Sequence, residues 1–218
     1  MKKTKKILII LIILVILLII GLLTYNKFFK KQDKEVKVIK TISKYGYTLD
    51  ENETKLYKDE FDKLDEVLSN DEVDNELYAK QIAKLFVIDF YTLSNKLSKN
   101  DIGGTQFIKE DMKDNFIEQA RSTFYRYIEV KDDKRNQELP EVSEIKNVSV
   151  SKTTFTIKDK TVTTTKYKTS KYNKSSGETY DAYKVTISWD YKEDYGYEKE
   201  ANMIIIKDDN KLSIVEMD

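Results

Sequence analysis

Apolar residues follow three successive spacings along this chain. From Ile7 to Leu23 no side chain is polar. Thr24 and Tyr25 extend the run, which at ~1.5 Å per residue reaches roughly 25 to 29 Å, close to the ~30 Å hydrocarbon layer of a bilayer. The pattern therefore predicts one transmembrane helix over residues 7–25. Residues 26–49 read as a juxtamembrane linker, in which the β-branched and aromatic stretch Val36–Leu49 predicts a short strand. Asp50 and Glu53 then stand at capping-box spacing, and Tyr57, Phe61, Leu64 and Leu68 recur at helical intervals. A second helix, capped by Asp74, carries Tyr78, Ile82, Phe86, Leu93 and Leu97 on one face, widened by Leu85 and Phe90. The paired glycines Gly103 and Gly104 end that unit, and Met112, Phe116, Ala120, Phe124 and Tyr127 predict a third helix from about Asp111.

Beyond the polar run Lys131–Gln137 and the sole proline, Pro140, the period becomes two. Val148 and Val150 alternate, then Phe155 and Ile157 alternate in the opposite phase, which predicts a bulge near Lys152–Thr154. Thr161–Tyr180, rich in Thr, Lys and Ser, reads as a long exposed hairpin arm. Tyr183, Val185, Ile187, Trp189 and Tyr191 form the cleanest strand. Tyr197, Ala201, Met203 and Ile205 mark its partner, and Leu212–Met217 closes the sheet. The predicted fold class is α+β, with an N-terminal transmembrane helix followed by about three helices packed on a curved antiparallel sheet. Residues 1–6 would be a cytoplasmic tail, and residues 50–218 one extracytoplasmic α+β domain.

Charge refines this picture. The chain has 38 Lys plus Arg against 38 Asp plus Glu, but Lys2, Lys3, Lys5 and Lys6 precede the apolar run, so the part after residue 26 has 34 basic and 38 acidic groups. A domain with that acidic excess is a poor nonspecific nucleic-acid binder. Four lysines also follow the run, at Lys27, Lys30, Lys31 and Lys34, so the orientation rests on the short tail staying in the cytoplasm with the larger part outside. A cleaved signal peptide is the competing reading, opposed by the length of the apolar core and the lack of a small-x-small site after it. The chain has no His and no Cys, which excludes disulfides, thiolate or imidazole metal sites, Cys nucleophiles and His bases. No cofactor motif occurs, and the acidic runs around residues 62–76 lack the glycine and ligand spacing of a calcium loop.

The order of elements and the closing segments YDAYKVTISWDY, GYEKEANMIIIKDD and NKLSIVEMD resemble the nuclear transport factor two-like superfamily. In that fold, helices pack into the concave face of a curved sheet whose last strand follows a short turn. Asn210, Lys211, Leu212, Ser213 and Ile214 fit this ending, with Leu212 where an aromatic residue is usual. The resemblance covers about residues 50–218. It implies a fold, and within that superfamily the nearest architectural relatives are scaffold components of type IV (conjugative) secretion channels, with similar domains fused to cell-wall enzymes and in membrane-anchored proteins of Gram-positive bacteria. Lys-, Ile- and Asn-rich usage also points to a bacterial source.

Asp89 is the leading site candidate, because it falls inside the apolar stripe of the second helix, where a carboxylate must be paired, hydrogen-bonded or protonated. It is either a pocket acid or a structural acceptor for the backbone N–H groups of Gly103 and Gly104, or a partner of Arg121. Trp189 completes the candidate set, and the period-two tyrosines read as half-buried sheet residues. The expected function is a single-pass membrane protein whose outer domain is a non-enzymatic protein-binding or scaffold module. Its partner would be another membrane or cell-envelope protein, with no nucleic acid, no metal and no cofactor. The alternatives are a receptor for a small molecule or lipid, and a secretion-channel component; a hydrolase or isomerase using Asp89 ranks below them.

Overall fold

The computed structural model describes residues 14–19, 21, 36–130, 135–157 and 177–218. They fall into two units, Met1–Lys37 and Val38–Asp218. In the first, residues 14–19 are helical and exposed. Among the described residues no helix is long and apolar enough to cross a membrane. That overturns the expected transmembrane helix and the single-pass membrane architecture built on it. The remainder of the expected span, apart from residue 21, lies outside the described residues.

The second unit is α+β, with two antiparallel sheets where one was expected. Strands β1 (Val38–Ile42) and β2 (Tyr47–Asp50) form a hairpin closed by Gly46, whose φ of 74° suits a residue without a side chain. Helix α1 (Lys55–Leu68) follows and buries Tyr57, Phe61, Leu64 and Leu68, as its spacing predicts. Its cap is Thr54, not Asp50: β2 runs to Asp50, so the chain first turns into the helical path four residues later, where the Thr54 hydroxyl accepts the Tyr57 N–H at 3.2 Å. Asp50 and Glu53 are thereby left free of any capping duty.

Helix α2 (Asn75–Tyr91) starts at the expected cap, Asp74, which accepts the N–H groups of Glu76 and Leu77. It is the central element, with α1 on one side and the main sheet on the other, so it is buried around nearly its whole circumference from Tyr78 onward. Thr92 turns extended and ends it, so Leu93 and Leu97 do not continue its face; Leu97 is exposed. The Pro140 carbonyl accepts the N–H groups of Leu93 and Ser94, and the Thr92 hydroxyl accepts the Val142 N–H. The sole proline thus docks the end of α2 onto the start of the sheet.

A short 3-10 turn (Thr105–Phe107) leads to helix α3 (Glu110–Ser122). Met112, Phe116 and Ala120 share its inner face, but Phe124 and Tyr127 lie past its end. The four-stranded sheet runs in the order β3 (Val142–Ile157), β4 (Glu178–Tyr191), β5 (Glu200–Asp208), β6 (Lys211–Met217). The predicted bulge lies earlier than expected, with register shifts at Val142/Glu144 and Ile145/Asn147. Past Val150 the strand continues in register and Phe155 pairs with Tyr180, so the change of phase reflects a strand that has outrun the core. Most of the expected arm, residues 161–176, lies outside the described residues, as do residues 131–134 of the polar run.

The cap assignment predicts that Thr54→Ala costs about 1 kcal/mol of unfolding free energy. Asp50→Ala has no such cost, since Asp50 Oδ1 is buried without a hydrogen bond; urea denaturation of the two variants measures both.

Candidate functional site

The last turn of α2 and the loop after it place a charged cluster inside the domain. Asp89 is buried, and its two carboxylate oxygens are divided between partners. Oδ1 pairs with the ammonium of Lys96, itself buried, and Oδ2 accepts the Gly104 N–H at 2.6 Å. The neighbouring Gly103 N–H donates instead to the Tyr125 hydroxyl at 3.2 Å, and that hydroxyl donates to the Phe90 carbonyl at 2.6 Å. Arg121 does not join this cluster and pairs with Glu118 on its own helix at 3.1 Å. Trp189 is a core residue of β4, with its ring 4.6 Å from that of Tyr91.

Both glycines are required by close approach. A Cβ on Gly103 would lie 2.3 Å from the Asp89 carbonyl oxygen, and one on Gly104 2.6 Å from the Phe86 ring. Gly104 also has φ at 74°. The loop therefore lies directly on α2, and only residues without side chains permit that.

Sequence reasoning missed Lys96, Glu53, Asp50, Tyr57 and Tyr125 as members of the cluster. Burial works to lower the Lys96 ammonium, but Asp89 and Glu53 outweigh it and hold the group above the ordinary lysine range. Glu53, relieved of capping, is pushed up to about 7 by burial and then by the negative charge of Asp89. Asp50 is raised for the same two reasons. The Tyr57 hydroxyl, raised well above its usual range by burial, accepts the Gln106 amide N–H at 2.9 Å. Asp50, Glu53 and Asp89 thus stand around one buried lysine, with the negative charge of Asp89 acting on both of the other acids. Among the described residues no group of acids is arranged to hold a metal ion.

On the other side of Phe86 and Phe90 lies a half-open groove of about 560 Å³. Its floor is Phe86 and Phe90 of α2, one wall is Met112, Phe116 and Ala120 of α3, and the other is Ile214 to Met217 of β6. The Phe86, Phe90 and Phe116 rings form a contiguous aromatic surface, with centroids 5.3 to 5.9 Å apart. The charged groups in the lining are Asp111 and Glu216. The cluster and the groove therefore share a helix: Asp89 fixes the Gly103–Gly104 loop, Gly104 packs on Phe86, and Tyr125 holds the Phe90 carbonyl.

Compared with protein-family models, with characterised proteins and with solved structures, the chain matches none.

Two outcomes test the cluster. Lys96→Met strands the buried Asp89 carboxylate and costs about 3–5 kcal/mol, whereas Asp89→Asn added to Lys96→Met recovers part of that loss because the amide oxygen still accepts the Gly104 N–H. Glu53 gives the pH dependence. Its folded pKa, about 7, exceeds the ordinary 4.5, so between those values the folded protein holds a proton that the unfolded chain has released. Stability is then greatest at the acid end of this window and falls as pH rises through it. Glu53→Gln flattens that decline and leaves the protein about 1–2 kcal/mol more stable near pH 8, allowing for partial solvent screening; denaturation midpoints at both ends of the window measure it.

Proposed function

We propose that Val38–Asp218 is a non-enzymatic binding module whose working surface is the groove between α3 and β6. The observation that carries this reading is the unfilled space itself. About 560 Å³ lined by three phenylalanines and two methionines falls within the ~300–1,000 Å³ of ligand pockets. A domain built only to present its outer surface has no reason to leave such a volume beside its central helix, since filling it with larger side chains would add contacts. The guest is an apolar group: ring and thioether surfaces receive it, and polar side chains stand only at the mouth.

Asp89 supports the non-catalytic side of the reading. Both of its oxygens are engaged, by an ammonium and by a backbone N–H, so it is not poised to accept a substrate proton. Helices followed by the β3-β4-β5-β6 meander also support the similarity to the nuclear transport factor two-like superfamily, a likeness of fold that leaves function to the site.

The neutral fluorophore N-phenyl-1-naphthylamine tests the groove. It is expected to bind saturably with enhanced emission, and Gln119→Trp, which places an indole at the exposed rim, is expected to weaken it at least tenfold with an unchanged melting temperature. Absence of saturable binding, or equal binding by the variant, would overturn the reading.

A further inference from the structure

The groove has a feature that a pocket for a free small molecule does not need: one of its walls is the edge of a sheet. In the order β3-β4-β5-β6, β6 has no strand on its outer side among the described residues. The first part of that side is nonetheless closed. The Tyr47 hydroxyl donates to the Leu212 carbonyl at 3.1 Å, the Leu212 N–H donates to the Tyr78 hydroxyl at 3.2 Å, and the two hydroxyls lie 2.6 Å apart. At Ile214, the strand forms a parallel bridge with Ile108, and its carbonyl accepts the Lys109 N–H at 3.0 Å. Protein groups thus occupy the outer edge as far as Ile214.

Past Ile214 this closure stops. The register shifts between Ile204 and Ile205, leaving Val215 as an extra residue, after which Ile204 faces Glu216 and Met203 faces Met217. Asn202 and Asp218 exchange both of their backbone hydrogen bonds. Antiparallel pairs alternate between those that exchange bonds and those that do not, so the Met217 N–H and C=O point away from β5. They have no hydrogen-bond partner among the described residues. An unpaired donor and acceptor on a sheet edge form a template for another extended segment.

The groove lies along this open stretch, with α3 as its far wall. An extended backbone added beside Val215–Met217 would sit ~4.8 Å from β6 and send alternate side chains toward Phe90, Met112 and Phe116. The charge at the mouth selects further. The charged side chains of the lining are both acidic, Asp111 and Glu216, with no lysine or arginine among them. Lys109 already engages Asp111, whereas Glu216 is exposed and has no ion pair among the described residues.

Building on the groove reading, we infer that the guest is an extended peptide segment of another protein, with apolar residues alternating with lysine or arginine, which adds to the free edge of β6 as a fifth strand. The backbone bonds at Met217 supply orientation, the aromatic floor takes the apolar side chains, and the acids at the mouth pair with the cationic ones.

The test uses the full chain and synthetic peptides blocked at both ends, followed by fluorescence anisotropy. A peptide alternating leucine with lysine is expected to bind saturably, to displace the naphthylamine probe and to weaken as salt rises. Its leucine–glutamate counterpart is expected to bind at least tenfold more weakly, a difference that Glu216→Lys narrows. Two further versions carry backbone N-methyl groups, at the leucines in one and at the lysines in the other, so that each blocks one edge while keeping every side chain. One of the two is expected to lose at least tenfold. If both bind like the parent, strand addition is wrong and the groove reading stands. If the probe binds but no peptide displaces it, the guest is a small molecule and the peptide inference fails. If the protein alone sediments as a dimer that excludes the probe, the occupant is a second copy and the inference again fails. Failure of the probe itself to bind removes the groove reading beneath it.

Discussion

The arrangement of this domain depends on one buried ion pair. Asp89 and Lys96 lie on either side of the end of α2, so their contact determines how the chain leaves that helix and how the following loop returns across it. The second Asp89 oxygen then captures Gly104 and lays the loop on Phe86. From there the path is constrained. The 3-10 turn brings Ile108 and Lys109 against Ile214, and α3 starts immediately afterwards, facing the edge of the sheet at a distance that leaves space between them. A buried ion pair is weak evidence of net stabilisation, because desolvation offsets most of the attraction. Its role here is geometric, since two charges with no solvent to turn to accept very few arrangements of the chain around them.

Polar groups also recur at the seams of this fold. Glu60, buried between α1 and α2, receives Lys63, Lys84 and Gln81. Tyr47 and Tyr78 close the upper edge of β6, and Tyr125 ties the Gly103 N–H to the Phe90 carbonyl. In each case a side chain from one element satisfies a group on another that would otherwise be buried and unpaired, a deficit worth roughly 1–3 kcal/mol each. Secondary structure supplies the layers, and these bonds fix how far apart the layers stand.

Much of the second unit was legible in the sequence because its signals are periodic. The faces of α1 and α2, the Asp74 cap, the clean alternation of β4 and the turn before β6 all follow from spacing that a single element determines. What was not legible depends on where elements end relative to one another. Asp50 and Glu53 have the spacing of a cap, but the β1–β2 hairpin reaches as far as Asp50 and transfers the cap to Thr54. Leu93 and Leu97 continue the helical count of α2 across a chain that has already turned extended at Thr92. The burial of Asp89 could be read from its place in the apolar stripe. Its partner Lys96, seven residues later, could not, because a lysine outside a helix carries no periodic signal. The groove was equally hidden, since it is a space between α3 and β6, elements about a hundred residues apart in sequence.

Missing chemistry and unusual geometry then point in the same direction. Histidine and cysteine are missing from the chain, and Asp89, which with Glu60 is one of two carboxylates buried among the described residues, is committed to holding a loop in place. Burial and then the negative charge of Asp89 raise both Glu53 and Asp50, so the cluster is not arranged for stability alone. On the far side of α2, α3 already packs, with the Phe116 ring 5.9 Å from Phe86 and 5.4 Å from Phe90, and the space that remains lies between α3 and β6. The charged cluster fixes the loop on one side of α2, and on the other the half-buried Met112 and Phe116 line the groove beside a strand edge whose outer pairing, among the described residues, stops at Ile214.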